Sequence, residues 1–205
     1  MSISRRHFLG ASLAVSAGVI ASPSFAAARA SILPASAARP LLLPQALAAL
    51  DRHGARITHS DLVGIADFSS HSRETRFHLV DIAAGRIRKS LLVAHGRGSD
   101  PVNTGFVQKF SNRPGSNASS EGSFLTGDTY YGKHGRSRRL HGLEPQNNRA
   151  LERAIVIHGA DYVDMGAALR QGRIGRSQGC FAFEQAEIDE VLRLLGPGRL
   201  LLAAR

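Results

Sequence analysis

The sequence has no tryptophan, one cysteine and two methionines, and aromatic residues fill only 6% of its 205 positions. Each shortage excludes something. A lone cysteine, Cys180, rules out a disulfide framework as the source of stability. Without tryptophan, and with no stretch in which aromatic and basic residues interleave, there is no stacking platform for single-stranded nucleic acid. The apolar run from Phe8 to Ile20 is closed by Pro23 before it reaches the roughly twenty residues that a membrane-spanning helix needs. No internal repeat is visible. Acids are the other scarce class, 16 Asp and Glu against 26 Lys and Arg, which gives a formal net charge of +10. Such an excess suits an anionic partner, and a carboxylate-rich polymer is one.

What is present starts at the N-terminus. Arg5 and Arg6 form a positive head, an apolar stretch follows, and Ser24 and Ala26 put small residues where a signal peptidase reads, so residues 1–26 are predicted to be an export signal. Ser4, Arg5, Arg6, Phe8 and Leu9 resemble the twin-arginine type, which exports folded proteins. Cleavage after Ala26 removes Arg5 and Arg6 and no acid, leaving a charge of +8 and no membrane span. The expected location is the periplasm, where nucleic acid is not a partner. An unpaired cysteine in that oxidising compartment is a chemical liability unless its reactivity is used.

Residues 27–40 are rich in Ala, Ser and Pro and read as a lead-in, and residues 41–205 suffice for one domain. Pro44 opens a short helix with Leu47, Ala48 and Leu50 on its face, closed by Gly54. Short alternating runs then carry Val63, Ile65 and Phe68, next Phe77, Leu79 and Ile82, and next Ile87, Leu91 and Val93. Gly85 marks the turn of a hairpin between Leu79 and Leu92. From His95 to Gly122 the chain is dense in Gly, Asn, Ser and Pro and reads as a long loop. Strand character returns over 123–131 and over 154–157, where the run ends at His158 and Gly159. A helix over 184–195 and a strand over 199–203 close the chain. This order predicts a mainly β domain with short flanking helices. Phe68, Phe77, Phe106 and Phe124 are predicted core residues. Of Tyr130 and Tyr131, one faces inward and the other is free to line a groove.

The chemistry is concentrated around Cys180. A thiol attacks as thiolate and needs help at neutral pH. Gly179 before it permits a sharp turn, from which the amides of Gly179 and Cys180 would face a developing oxyanion, and Arg176 adds charge nearby. His158 ends an apolar run and is followed by Gly159, a position from which an imidazole projects at a strand end and takes a thiol proton.

Ser177, Gly179 and Cys180, with His158 and Gly159 upstream, resemble the signature of the L,D-transpeptidases, closest to the branch of murein L,D-transpeptidase catalytic domain proteins. Segments 110–115, 119–126, 131–135, 140–144 and 153–163 also look like that branch. The resemblance implies a β-sandwich or barrel and a cysteine acyl-enzyme formed on peptidoglycan tetrapeptide stems, with D-alanine released and the acyl group passed to an amine or to water. It implies Cys180 as nucleophile and His158 as base, with a carbonyl near Gly159 holding the ring. Ser177 and Gly179 would shape the oxyanion region, and Arg176, Gln178 and Tyr131 the substrate pocket. It implies no cofactor and no metal. Gln178 and Phe181 depart from the residues common in that branch, which leaves open a relative that binds wall peptides without turnover. A zinc peptidase using His134, His141 and His158 is the other class of alternative.

Overall fold

A computed structural model describes residues 40–205, and the predicted export signal and nearly all of the lead-in lie outside the described residues. The elements are α1 (Leu43–His53), β1 (Leu62–Asp67), β2 (Phe77–Asp81), β3 (Arg86–Leu91), β4 (Gly122–Gly132), β5 (Gly135–Gly142), β6 (Val156–Gly159), α2 (Met165–Gln171), β7 (Phe181–Phe183), α3 (Ile188–Leu194) and β8 (Leu200–Ala204). All eight strands share one mixed sheet in the order β3, β2, β1, β8, β4, β5, β6, β7. Only β1 with β8 and β6 with β7 run parallel. Just beyond β3 the chain reaches the far edge, where Ala94 bridges Ala182 and its amide donates to the Ala182 carbonyl at 2.9 Å. The sheet is thus curled until its two edges touch, as the expected barrel-like β fold requires.

Curling makes an inner and an outer surface. The inner one holds Phe68, Phe77, Phe124, Phe181 and Phe183, all at most 1% exposed. On the outside α1 covers β1, β2 and β8 with Leu43, Ala46 and Ala49. Because β1 is covered on both faces, all six of its residues are buried, and it reads as a continuous apolar run. The helix face is rotated from the one expected, since Leu47 is exposed and the buried stripe follows Leu43 at spacings of three. Phe106 also differs from expectation. It lies in the long loop, 48% exposed, with its ring edge-on to His71.

Two elements have no counterpart in the sequence reading. Strand β5, Gly-Arg-Ser-Arg-Arg-Leu-His-Gly, lacks apolar alternation, yet it is central in the sheet. Its inward Arg138 is satisfied by the carbonyls of Gly127 (2.6 Å) and Leu192 (2.9 Å) instead of by apolar packing. Helix α2 does carry ordinary start and stop signals. Asp164 caps the Ala167 amide at 2.6 Å, and Gly172 ends the helix at a φ of 73°.

A buried polar chain stands behind the long loop. Arg76 is fully buried, donating to the carbonyls of Val93 and Ser70 and to His95 Nδ1 at 2.6 Å, with its guanidinium 4.9 Å from the Phe68 ring centre. His95 Nε2 therefore carries the ring proton, 3.5 Å from Asp100 Oδ2. Burial lowers the Arg76 pKa to about 9, with Asp67 and Asp100 opposing the shift. Arg76→Met would leave these acceptors unpaired. We expect a loss of about 3–5 kcal/mol, the range for removing one partner from a buried charge network, read as a lower urea midpoint at unchanged slope.

Candidate active site

The apolar run Ile155, Val156, Ile157 forms β6 because its side chains fill the interior, and the strand delivers His158 and Gly159 to the sheet end. There His158 Nδ1 donates to the Gly159 carbonyl at 2.8 Å, which leaves Nε2 as the proton acceptor. One strand over, the chain turns into β7 through Ser177 to Cys180. Gly179 has a φ of 119°, and a Cβ there would stand 2.7 Å from both the Ala118 carbonyl oxygen and Ile155 Cδ1, so only glycine fits. Ser177 staples this turn. Its Oγ donates to the Cys180 carbonyl (2.7 Å) and accepts from the Gly179 amide (3.1 Å), while its own amide donates to the His95 carbonyl (2.9 Å).

Cys180 and His158 line one cavity of about 490 Å³. Its wall also carries Lys133 and His134 from the tip of the β4–β5 hairpin, Tyr130, Arg153, Tyr162, Arg176 and Gln178. The His134 ring stacks on His158 with centroids 4.2 Å apart and planes 21° from parallel. Sγ of Cys180 donates to the Ala154 carbonyl at 3.4 Å. A smaller cavity of about 260 Å³ beside α1 and β8 has no nucleophile, and its Glu144 is already engaged by Ser123 and His53.

Electrostatics set the resting protonation. Burial lowers the His158 pKa to about 4; the Gly159 carbonyl opposes this, and His134 and Lys133 add to it. Burial likewise pushes the Cys180 thiol up, against the Val156 amide and the charges of Lys133 and Arg153. The resting pair is therefore a neutral thiol and a neutral imidazole, not a preformed ion pair, and proton transfer must accompany attack.

The residues expected from sequence occupy different places in this geometry. Cys180, His158, Ser177, Arg176 and Gln178 all line the cavity, while one Arg176 nitrogen is committed to the Asp100 carbonyl. The Gly159 carbonyl holds the imidazole. The Gly179 amide is spent on Ser177, so it does not face an oxyanion. The Cys180 amide donates to no loop or turn acceptor among the described residues and is the one left for that role. Of the two tyrosines, Tyr130 lines the cavity and Tyr131 stands 81% exposed outside its lining. Strand alternation foretold that they would part but not which way. Lys133, His134, Arg153 and Tyr162 escaped the sequence reading as cavity residues, because a hairpin tip and two connecting turns bring them in. Among the described residues no group of three His, Cys, Asp or Glu is placed to hold a metal ion, so His134, His141 and His158 do not form a zinc site.

Neutral burial of histidines makes stability depend on pH. His158 and His95, with pKa values of about 4 and about 3, refuse protons that the unfolded chain accepts below about 6.5. The unfolded state then binds more protons, so stability is full above about 6.5 and falls as pH drops toward the folded values. Each group can contribute up to about 1.4 kcal/mol per pH unit within that window. Urea denaturation at pH 7 and pH 5 should show the loss, and His158→Gln should flatten it.

A curled mixed sheet that sets a free thiol and a neutral imidazole in one basic cleft has the parts of a thiol-dependent enzyme domain. A family model described as the L,D-transpeptidase catalytic domain matches residues 35–203, and the chain belongs to that family. No curated protein matches it by sequence. Among solved structures it is similar to an L,D-transpeptidase from Mycobacterium smegmatis, at 12% identity over 71% of this chain and 59% of that one, TM-score 0.43. It is also similar to L,D-transpeptidase 1 of Mycobacterium tuberculosis, at 12% identity over 71% and 62%, TM-score 0.39. A third is the L,D-transpeptidase of Xylanimonas cellulosilytica, at 18% identity over 78% and 70%, TM-score 0.41. The chain thus spans about three-fifths of the length of the mycobacterial structures.

Proposed function

We propose that the protein is an exported L,D-transpeptidase acting on peptidoglycan tetrapeptide stems in the periplasm. In this reading residues 1–26 are a twin-arginine signal, 27–40 a lead-in and 41–205 the catalytic domain. Cys180 Sγ attacks the carbonyl of the third stem residue as its proton passes to His158 Nε2. The C–N bond to the terminal D-alanine breaks, the amine leaves with the proton from His158, and a thioester remains. An amine of a second stem, or water, then attacks the thioester, giving a proton to His158 and restoring the thiol. Membership of the family supports the substrate class. The observation that carries the mechanism is the anchoring of His158 Nδ1 on the Gly159 carbonyl in the cavity that Cys180 lines, which leaves Nε2 free for the thiol proton. The Cys180 amide is the candidate oxyanion donor, and Arg176 and Gln178 on the wall are candidates for contacts to the stem, Arg176 for a carboxylate.

Mass spectrometry of the mature protein incubated with disaccharide tetrapeptide tests this. A thioester adduct with loss of D-alanine is the expected result, and the released products identify the acceptor. Binding of the tetrapeptide with neither adduct nor product would overturn the acyl-transfer reading in favour of a wall-binding relative.

A further inference from the structure

The turn before β6 joins two parts of the cysteine site that are distant in sequence. Ala154 adopts a φ of 53°, a left-handed conformation that costs a non-glycine residue on the order of 1 kcal/mol, so the surroundings must hold it. Its amide is tied to the Leu151 carbonyl at 3.0 Å, and its own carbonyl is the acceptor for the Cys180 thiol. The residue before it, Arg153, spreads its guanidinium over four acceptors of one segment. Nη1 donates to the Ser111 carbonyl and Ser120 Oγ, both at 2.6 Å, and Nη2 to Ser116 Oγ at 3.2 Å and to the Ala118 carbonyl.

That segment backs the nucleophile. The Ala118 carbonyl is what a side chain at position 179 would strike, and Ser119 Oγ donates to the Gly179 carbonyl at 3.3 Å while accepting from the Gly96 amide at 3.0 Å. All four acceptors of Arg153 are neutral, and among the described residues it forms no ion pair within 4.0 Å. Its full positive charge therefore remains on the wall it shares with Cys180. A clamp alone needs no such charge, whereas a sulfur or oxygen that becomes negative during reaction is stabilised by it.

We propose that Arg153 is a positioning residue of the cysteine site, clamping segment 111–120 behind Gly179 and directing an unneutralised positive charge toward Cys180. This rests on the reading of Cys180 as nucleophile and adds to it the residue that tunes the thiol. The charged or titratable groups facing the same space are Lys133 and His134 from the hairpin, Glu152 beside Arg153, His158, Tyr162, and Arg97 and Arg176 opposite. The test must therefore isolate the Arg153 contribution.

Alkylation of Cys180 by anionic iodoacetate and neutral iodoacetamide at one pH does so, because a change in packing alters both rates alike and a lost charge alters their ratio. In Arg153→Gln the iodoacetate-to-iodoacetamide ratio should fall about three- to tenfold, the scale of one unit charge removed at short range in a partly hydrated site. In Arg153→Lys the ratio should stay near wild type, while hydrogen exchange at Ala118, Ser119 and Ser120 quickens because a single ammonium cannot hold four acceptors. An unchanged ratio in folded Arg153→Gln overturns the charge role. Wild-type exchange in Arg153→Lys overturns the clamp, and that variant decides the matter if Arg153→Gln does not fold. Alkylation needs no turnover, so failure here leaves the acyl-transfer reading standing. Absence of an acyl adduct on wild-type protein, with these ratios as expected, would reject that reading alone.

Discussion

Cys180→Ala is expected to yield no covalent adduct with tetrapeptide and to lower the rate of D-alanine release by on the order of 10⁴-fold or more, as loss of a nucleophile does in enzymes of this kind of chemistry. The structure offers no substitute: Cys180 is the sole cysteine, and the hydroxyl nearest to it in the motif, on Ser177, is spent on the Cys180 carbonyl and the Gly179 amide. Stability should change by less than about 1 kcal/mol, since the thiol is only partly buried and its one hydrogen bond is long and weak. Mass spectrometry for the adduct and a urea curve for the fold separate the two effects. A variant that stays folded and still releases D-alanine at the wild-type rate would remove Cys180 from the mechanism.

His158→Gln should have the next largest effect, a fall in kcat/KM of about 10²–10⁴-fold, the usual contribution of a positioned general base. Glutamine retains an N–H able to reach the Gly159 carbonyl, so the loss reports proton transfer and not the collapse of a buried site. The pH profile gives a sharper signature. With His158 neutral down to about pH 4, wild-type kcat/KM should show its acid limb there and remain level at neutral pH. The variant depends on thiolate formed without help from a base, and burial pushes that ionisation up. Its residual activity should therefore climb tenfold per pH unit through neutrality. A variant profile parallel to that of wild type would mean that His158 does not handle the proton.

The neutral resting pair also bears on selectivity. A preformed thiolate reacts with many electrophiles, while a thiol that must lose its proton during attack waits for a carbonyl seated against the cleft. Hardship for the resting thiol is offset by nearby positive charge, which is why Lys133 and Arg153 are more informative about rate than the charge excess of the whole chain.

How much of this was legible beforehand depends on the range of the interactions involved. Cys180, Gly179, Ser177, His158 and Gly159 were legible because each pair is adjacent or nearly so, and their roles depend on strand ends and a tight turn written in a few residues. The strands β1, β2 and β3 were legible because their apolar residues alternate or run together. Strand β5 was not, since its place in the middle of the sheet rests on an arginine satisfied by carbonyls from β4 and the end of α3. Phe106 was misplaced for the converse reason: an aromatic residue in a loop has no strand to carry it inward.

The sequence by itself determined a mainly β chain, a basic balance, a single thiol in a glycine-flanked turn and a histidine at the end of an apolar run. Those are local properties of composition, period and spacing. Only the tertiary structure decided that Tyr130 and not Tyr131 lines the cleft, that the Gly179 amide is consumed by Ser177, and that His134 and Arg153 stand beside the reacting pair. Each of these depends on which distant segments the curled sheet brings within a few ångströms. Burial in the resulting cleft also sets the charge of Cys180 and His158, and burial belongs to the assembled fold and not to any stretch of chain.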